Sequence, residues 1–418
     1  MGGTAEGGRI TLIIPLAGLL FITSCLTPAL AAPSHSVINS DQVLVIDGKK
    51  VFPIGFTMPP PPDGKTPEGK NGIGELADAG ATFLRTGGQW TEENIRREQK
   101  YLDAAARYGM HCLPFLRENA NITSAAREAQ LRKLLAQFKD HPGLGAWKGD
   151  DEPEWSKKPI PPLVRAYDII KEVDPNHPLA IIHAPRGTVE SLREYNVAAD
   201  IIGADIYPIS YPPGLHSTLT NKEISLVGDH TRMLMEVAEG KKPVWMVLQI
   251  SWSGVLKPGK TLRFPTFPEE RFMTYEAIIN GARGLIYFGG DNKKGMSEAD
   301  NQLGWNWRFW KRVLRPVVEE IGARSPLYPA LVAANSALPI HVTGAPGLDF
   351  CVREVSNDLF IIACKREGPA IQATFTGLPA SISKGEVLFE PPRSVEASDG
   401  TFKDWFAPFE VHIYRFRK

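Results

Sequence analysis

The sequence predicts an α/β chain: a closed parallel (β/α)8 TIM barrel over 51–328, followed by a small all-β sandwich over 335–418. Three observations lead there. Eight apolar runs alternate with eight helical patterns along the first three quarters of the chain, as a barrel of about 250 residues or more requires. The first run is followed by Met58-Pro-Pro-Pro-Pro62, which is useless for cradling phosphate, so the rival open dinucleotide-binding sheet has no glycine-rich fingerprint. Past Pro329 the helical patterns stop and short alternating runs with turn residues take over.

The chain begins with what reads as a targeting segment over 1–32. Arg9 precedes an apolar run from Ile10 to Thr23 that is too short and interrupted for a membrane span. Ile22-Thr23-Ser24-Cys25 resembles a bacterial lipobox, whereas Ala29-Leu30-Ala31 fits ordinary signal cleavage. Both imply export, to the periplasm, the outer membrane or the exterior, and the first adds membrane anchoring through a lipidated Cys25. Residues 33–50 read as a linker and an N-terminal hairpin strand.

The barrel strands are expected at 51–58, 81–87, 111–117, 144–150, 178–184, 200–207, 243–250 and 283–289. Helical patterns fall at 72–79, 92–109, 123–139, 161–173, 187–195, 222–239, 268–281 and 306–322. Thr91 ahead of Glu92-Glu93 is an N-cap with acids in the first turn. Leu131, Leu134, Leu135 and Phe138 recur at helical spacing, and Asp174-Pro175 and Gly240-Lys-Lys-Pro243 end their helices with breakers. Pro316 predicts a kink or early break in the last helix. In the β domain, a hairpin turn at Asn357-Asp358 sets Cys351 opposite Cys364, where an exported protein permits a disulfide. Cys112 reads as a small apolar core residue.

Lys+Arg and Asp+Glu are both 47, so the formal net charge is zero and nothing points to nucleic acid. No Cys/His cluster has zinc-ligand spacing, and no cofactor motif is present. In a barrel the chemistry sits at the C-terminal strand ends. Those ends offer Arg85, the triplet Asp150-Asp151-Glu152, His183, Asp205, Tyr207, Gln249, Trp252 and Tyr287. Carboxylates, an arginine, amides and aromatics suit a neutral polyhydroxylated ligand, an oligo- or polysaccharide, better than a phosphate or a metal. Glu152 is the candidate general acid: the neighbouring Asp151 anion and a desolvated rim both raise its pKa. The alternative for Glu152 is a helix-cap carboxylate, and for Asp205 an Asx turn before Tyr207-Pro208. His183 reads equally as a core histidine, and Arg85 as a structural ion-pair partner. Trp252, Trp305 and Trp90 are sugar-platform candidates.

These residues carry a resemblance. Val45-Ile-Asp47-Gly48 through Pro53-Ile-Gly55 resembles the N-terminal hairpin and first strand of clan A glycoside hydrolases. Arg85 matches the arginine that clan carries after its second strand, and Asp151-Glu152-Pro153 stands where it has Asn-Glu-Pro. Ala277 to Phe288 is similar to the last helix-to-strand run of the β-galactosidase-like branch, and Asp399 to Asp404 with Val411 to Tyr414 to its closing β-sandwich. The resemblance implies a glycosidase with Glu152 as acid/base. It also implies a seventh-strand nucleophile Glu, where this chain has Gln249. Three routes follow: Asp205 as second carboxylate, Asp151-Glu152 acting as a pair on a 2-acetamido sugar, or a glycan-binding protein without catalysis.

Overall fold

The computed structural model describes residues 1–4, 7–8, 32–209, 217–251 and 263–418. The expected apolar segment Ile10–Thr23, Cys25 and Trp252 lie outside the described residues. Among the described residues no helix is long and apolar enough to cross a membrane.

From Ala32 onward the chain forms one unit. It opens with a small antiparallel sheet of β1 (Ser36–Ile38), β2 (Leu44–Ile46) and β3 (Lys49–Val51). Eight parallel strands follow: β4 (Ile54–Thr57), β5 (Phe83–Arg85), β6 (His111–Cys112), β7 (Trp147–Asp151), β8 (Leu179–His183), β9 (Ile201–Asp205), β10 (Val244–Gln249) and β11 (Gly284–Phe288). They pair in the order β6-β5-β4-β11-β10-β9-β8-β7. Parallel bridges Cys112–Leu144 and Phe115–Lys148 join the two ends, closing the barrel.

The interior is filled in layers by residues of alternating parity. Leu44 and Ile46 of the N-terminal sheet pack with Phe83, Leu113, Ala146, Ala180, Ile201 and Trp245, plugging the N-terminal end. Above them Ile182, Tyr207, Val247 and Ile286 form a second layer, which is the floor of the mouth. Trp245 fits because β9 bears Gly203 beside it; a Cβ there would lie 2.1 Å from the Trp245 carbonyl oxygen.

The helices fall where periodicity and caps place them. Thr91 caps the helix Glu92–Arg107 by accepting from the Asn94 N–H, and Leu131, Leu134, Leu135 and Phe138 are the buried face of Ala125–Phe138. The last helical stretch is broken, as Pro316 demands: a π-helical turn at Trp310–Leu314 precedes Arg315–Ile321. The missing Pro316 N–H removes one intrahelical bond, and the wider turn absorbs the defect.

The C-terminal strands form two antiparallel sheets, one of three strands and one of five, packed around Phe375, Phe402, Tyr414 and Phe416. The helix Phe267–Ile279 joins them to the barrel: Arg271 pairs with Glu320 at 2.8 Å and donates to the Val411 carbonyl at 2.8 Å. The hairpin between Leu348–Val355 and Asp358–Lys365 turns at Ser356-Asn357, one residue earlier than expected. That moves the register by two, so Cys351 faces Ile362 and Cys364 faces Asp349. Both cysteines are free, and the Cys364 thiol donates to Glu276 at 2.7 Å instead.

Candidate active site

The C-terminal mouth holds a cavity of about 400 Å³ whose walls include Arg85, Lys148, Asp151, Glu152, Asp205 and Tyr207. Four of the residues expected at strand ends, Arg85 at the end of β5, Glu152 after β7, and Asp205 and Tyr207 at and just past the end of β9, therefore open onto one space, together with Asp151.

Three consecutive acids at a strand end repel one another, and the chain separates them by a bulge. Between β7 and β8 the register runs from Lys148–Ala180 to Asp151–Ile182, three residues against two. The extra residue reverses the side-chain alternation. Lys148 and Asp151 consequently both face the cavity. Asp150 is buried, accepting from Lys158 at 2.5 Å and from Asn121 at 3.3 Å. Asp151 pairs with Lys148 at 2.5 Å. Glu152 follows with φ +45°, a left-handed conformation uncommon for a residue with a Cβ. Its carboxyl lines the same cavity as that of Asp205, and each affects the other's titration.

The three carboxyls thus differ in charge. Burial acts to raise the pKa of Asp151, but Lys148 and Arg85 outweigh it and hold Asp151 below the usual range. Burial and then the Asp151 charge raise Glu152. Burial and the Glu152 charge push Asp205 well above its ordinary value. Two neighbouring carboxyls in a buried site do not both ionise readily, so Glu152 and Asp205 hold a proton to higher pH than Asp151 does.

The aromatic wall is Tyr207 stacked on Phe288, ring centroids 5.2 Å apart. Opposite charges are supplied by Lys148 and Arg186, and Trp155, 52% exposed, carries the Arg186 guanidinium 4.5 Å above its ring. Lys148, Trp155 and Arg186 are site residues that strand-end reasoning missed. Lys148 lies three residues before the strand end, and only the bulge, which the sequence does not announce, makes it a partner of Asp151. Trp155 was signalled by its place three residues after Glu152.

Three expected ligand contacts are elsewhere. His183 has the opposite parity to Ile182 and points into the helix layer, edge-on to Tyr195 at 5.9 Å; burial takes its pKa down to about 3, so it is a neutral core histidine. Tyr287 likewise points outward, its hydroxyl 2.8 Å from that of Thr274. Gln249 is fully buried, accepting from the Ile209 N–H at 2.7 Å and donating to the Ile209 carbonyl at 2.8 Å. Its amide ties down the segment after Tyr207. Trp305 is 1% exposed and belongs to the core, and Trp90 donates to the Phe115 carbonyl at 3.1 Å.

No protein-family model matches the chain, and neither does any curated protein. Solved structures do. A glycoside hydrolase family 5 protein from Bacteroides vulgatus superposes with a TM-score of 0.63 at 12% identity, covering 92% of each chain. The α-amylase of Geobacillus thermoleovorans, complexed with acarbose, gives 0.55 at 10% identity over 91% of this chain and 99% of its own. A family 30 subfamily 8 xylanase from Clostridium acetobutylicum gives 0.52 at 11% identity over 93% and 98%. At these identities the likeness is one of fold, and the chain has the barrel-plus-β-domain architecture of these glycoside hydrolases, in keeping with the clan A resemblance of its strand-end motifs.

Proposed function

We propose that the protein is a glycoside hydrolase that cleaves O-glycosidic bonds of a glycan, with Glu152 as general acid. The observation that carries this reading is the setting of three carboxyls on one cavity: Glu152 and Asp205, raised by burial and by neighbouring charge, beside Asp151, lowered by Lys148 and Arg85. Leaving-group departure needs a proton at neutral pH, and a carboxyl with a raised pKa supplies it. The stacked Tyr207 and Phe288 rings and Trp155 offer apolar faces for a sugar.

Asp205 is the second carboxylate of this reading. Retaining enzymes hold their two carboxyls roughly 5–5.5 Å apart and inverting ones roughly 6.5–9.5 Å. Glu152 and Asp205 open onto one cavity, and the separation of their carboxyls selects between these outcomes. Asp205, its pKa raised by burial and by the Glu152 charge, is assigned the role of nucleophile or base opposite Glu152.

The ionised Asp151 favours a second reading of the attack step, in which it orients the acetamido group of a 2-acetamido sugar that serves as internal nucleophile. A panel of aryl hexosides and 2-acetamido-hexosides, assayed with wild type, Asp151→Asn and Asp205→Asn, distinguishes the two. Turnover confined to N-acetylated sugars and abolished by Asp151→Asn assigns the internal nucleophile. Turnover of plain hexosides assigns attack by water or by a carboxylate. Glycan binding with no turnover of any member would leave a binding protein and end the hydrolase reading. Export, with either a lipid on Cys25 or ordinary signal cleavage near Ala31, is part of the proposal, tested by fractionation and by lipid labelling of wild type and Cys25→Ala.

A further inference from the structure

Beside the first cavity lies a second of about 340 Å³, and Arg85 lines both. This volume is within the range of small-ligand sites, roughly 300–1,000 Å³. Its charge is one-sided. Four cations line it, Arg85, Arg97, Arg117 and Lys293, against two acids, Asp291 and Glu98. Glu98 is 2% exposed and binds Thr86 and the Gly87 N–H, and burial raises its pKa to about 7, so its charge is only partly expressed near neutrality.

Cations that line the two cavities gather on the ring of the buried Phe115. The Arg85 and Arg117 guanidinium carbons lie 5.1 Å from its ring centroid and the Lys148 ammonium 3.9 Å. Of the three, Lys148 has its carboxylate in Asp151. Among the described residues neither Arg85 nor Arg117 forms an ion pair, and the Nε of each is buried without a hydrogen-bond partner. The ring face offsets part of the cost of holding like charges together, but buried guanidinium donors without an acceptor remain costly. A planar guanidinium is shaped for the paired oxygens of a carboxylate or a sulfate.

We propose that the second cavity is a subsite for a negatively charged sugar unit, a uronate or a sulfated sugar, so that the glycan cleaved in the first cavity is an acidic one. The anion lies against Arg85 and Arg117, with Arg97 and Lys293 at the rim. This substrate class rests on the hydrolase reading, whereas the anion subsite does not.

Binding is measured by calorimetry with the Glu152→Gln protein, so that turnover plays no part. The probes are oligogalacturonate and a glucuronate-substituted xylo-oligosaccharide, each with its carboxyl-reduced counterpart, and a sulfated galactan oligosaccharide with its desulfated counterpart. The acidic member of at least one pair is expected to bind tenfold or more tightly than its neutral partner, with the difference shrinking at high salt. Adding Arg117→Gln should abolish that difference, and adding Arg97→Gln, on an exposed helix position where folding is not at risk, should reduce it. A preference confined to the carboxylate pairs assigns a uronate, and one confined to the sulfate pair a sulfate ester. Equal binding within every pair, or a preference that survives both arginine changes, overturns the subsite. Tight acidic binding without wild-type turnover would sink the hydrolase reading alone; turnover of neutral glycosides with no acidic preference would sink the subsite alone.

Discussion

Glu98 gives the structure its most quantitative test. It sits on the helix Glu92–Arg107 with its carboxyl turned inward, accepting from the Thr86 hydroxyl at 2.5 Å and the Gly87 N–H at 2.9 Å. Burial raises its pKa from 4.5 to about 7, even against those bonds and the charges of Arg85 and Arg97. The sign follows from proton counting. Between 4.5 and about 7 the unfolded chain has released this proton while the native protein keeps it. Stability must therefore fall as pH rises through that window and level off above it. At about 1.4 kcal/mol per pH unit, the loss is roughly 3 kcal/mol. Glu98→Gln preserves the shape, accepts from Gly87 through its oxygen and donates to Thr86, but does not titrate. Urea unfolding at pH 4.5 and pH 8 should show the wild type losing roughly 3 kcal/mol more than the variant between the two, with the other titrating groups common to both proteins. Parallel losses in the two proteins would refute a proton held on Glu98.

Three further outcomes are expected. Asp151→Asn removes the anion that helps raise Glu152. A general acid works only while protonated, so the alkaline limb of kcat/KM should move to lower pH; an unmoved or alkaline-shifted limb would contradict the electrostatics. Gln249→Glu, which restores the seventh-strand carboxylate of the clan pattern, should not raise activity. It turns an acceptor oxygen toward the Ile209 carbonyl and should lower stability by about 1–3 kcal/mol, read by thermal unfolding with activity in parallel. Gly203→Ala drives a Cβ to 2.1 Å from the Trp245 carbonyl oxygen. A loss of roughly 1–3 kcal/mol or more is expected by chemical unfolding, and an unchanged midpoint would mean that the barrel interior yields there.

Much of the barrel is legible in the sequence because each strand is buried on both faces and each helix carries a cap or a breaker, so local chemistry and global fold agree. Thr91, Pro316 and the Leu131-to-Phe138 stripe are such places. What fails is whatever depends on register. Parity from Ile182 turns His183 outward, and parity from Ile286 does the same to Tyr287. The hairpin turn at Ser356-Asn357 separates the two cysteines by one such slip. The β7 bulge works in the other direction: it brings Asp151 and Lys148 to the cavity together, and a local inconsistency of this kind at a mouth is where functional demands override regular pairing. Gln249 stands at a strand end that faces the mouth, but its amide is consumed by the Ile209 backbone. Asp205 and Glu152, 53 positions apart by their numbering, reach one cavity because β7 and β9 flank β8 in the closed sheet.

The role of Glu152 as proton donor is tested most directly by steady-state kinetics of Glu152→Gln against wild type on two glycosides of one sugar, a dinitrophenyl glycoside and an alkyl glycoside. The first leaving group departs without protonation and the second requires it. The Glu152 carboxyl, raised by burial and by the Asp151 charge at the barrel mouth, predicts little loss with the dinitrophenyl compound and a loss of about 10²–10⁴-fold with the alkyl one. Undiminished cleavage of the alkyl glycoside by Glu152→Gln would contradict it.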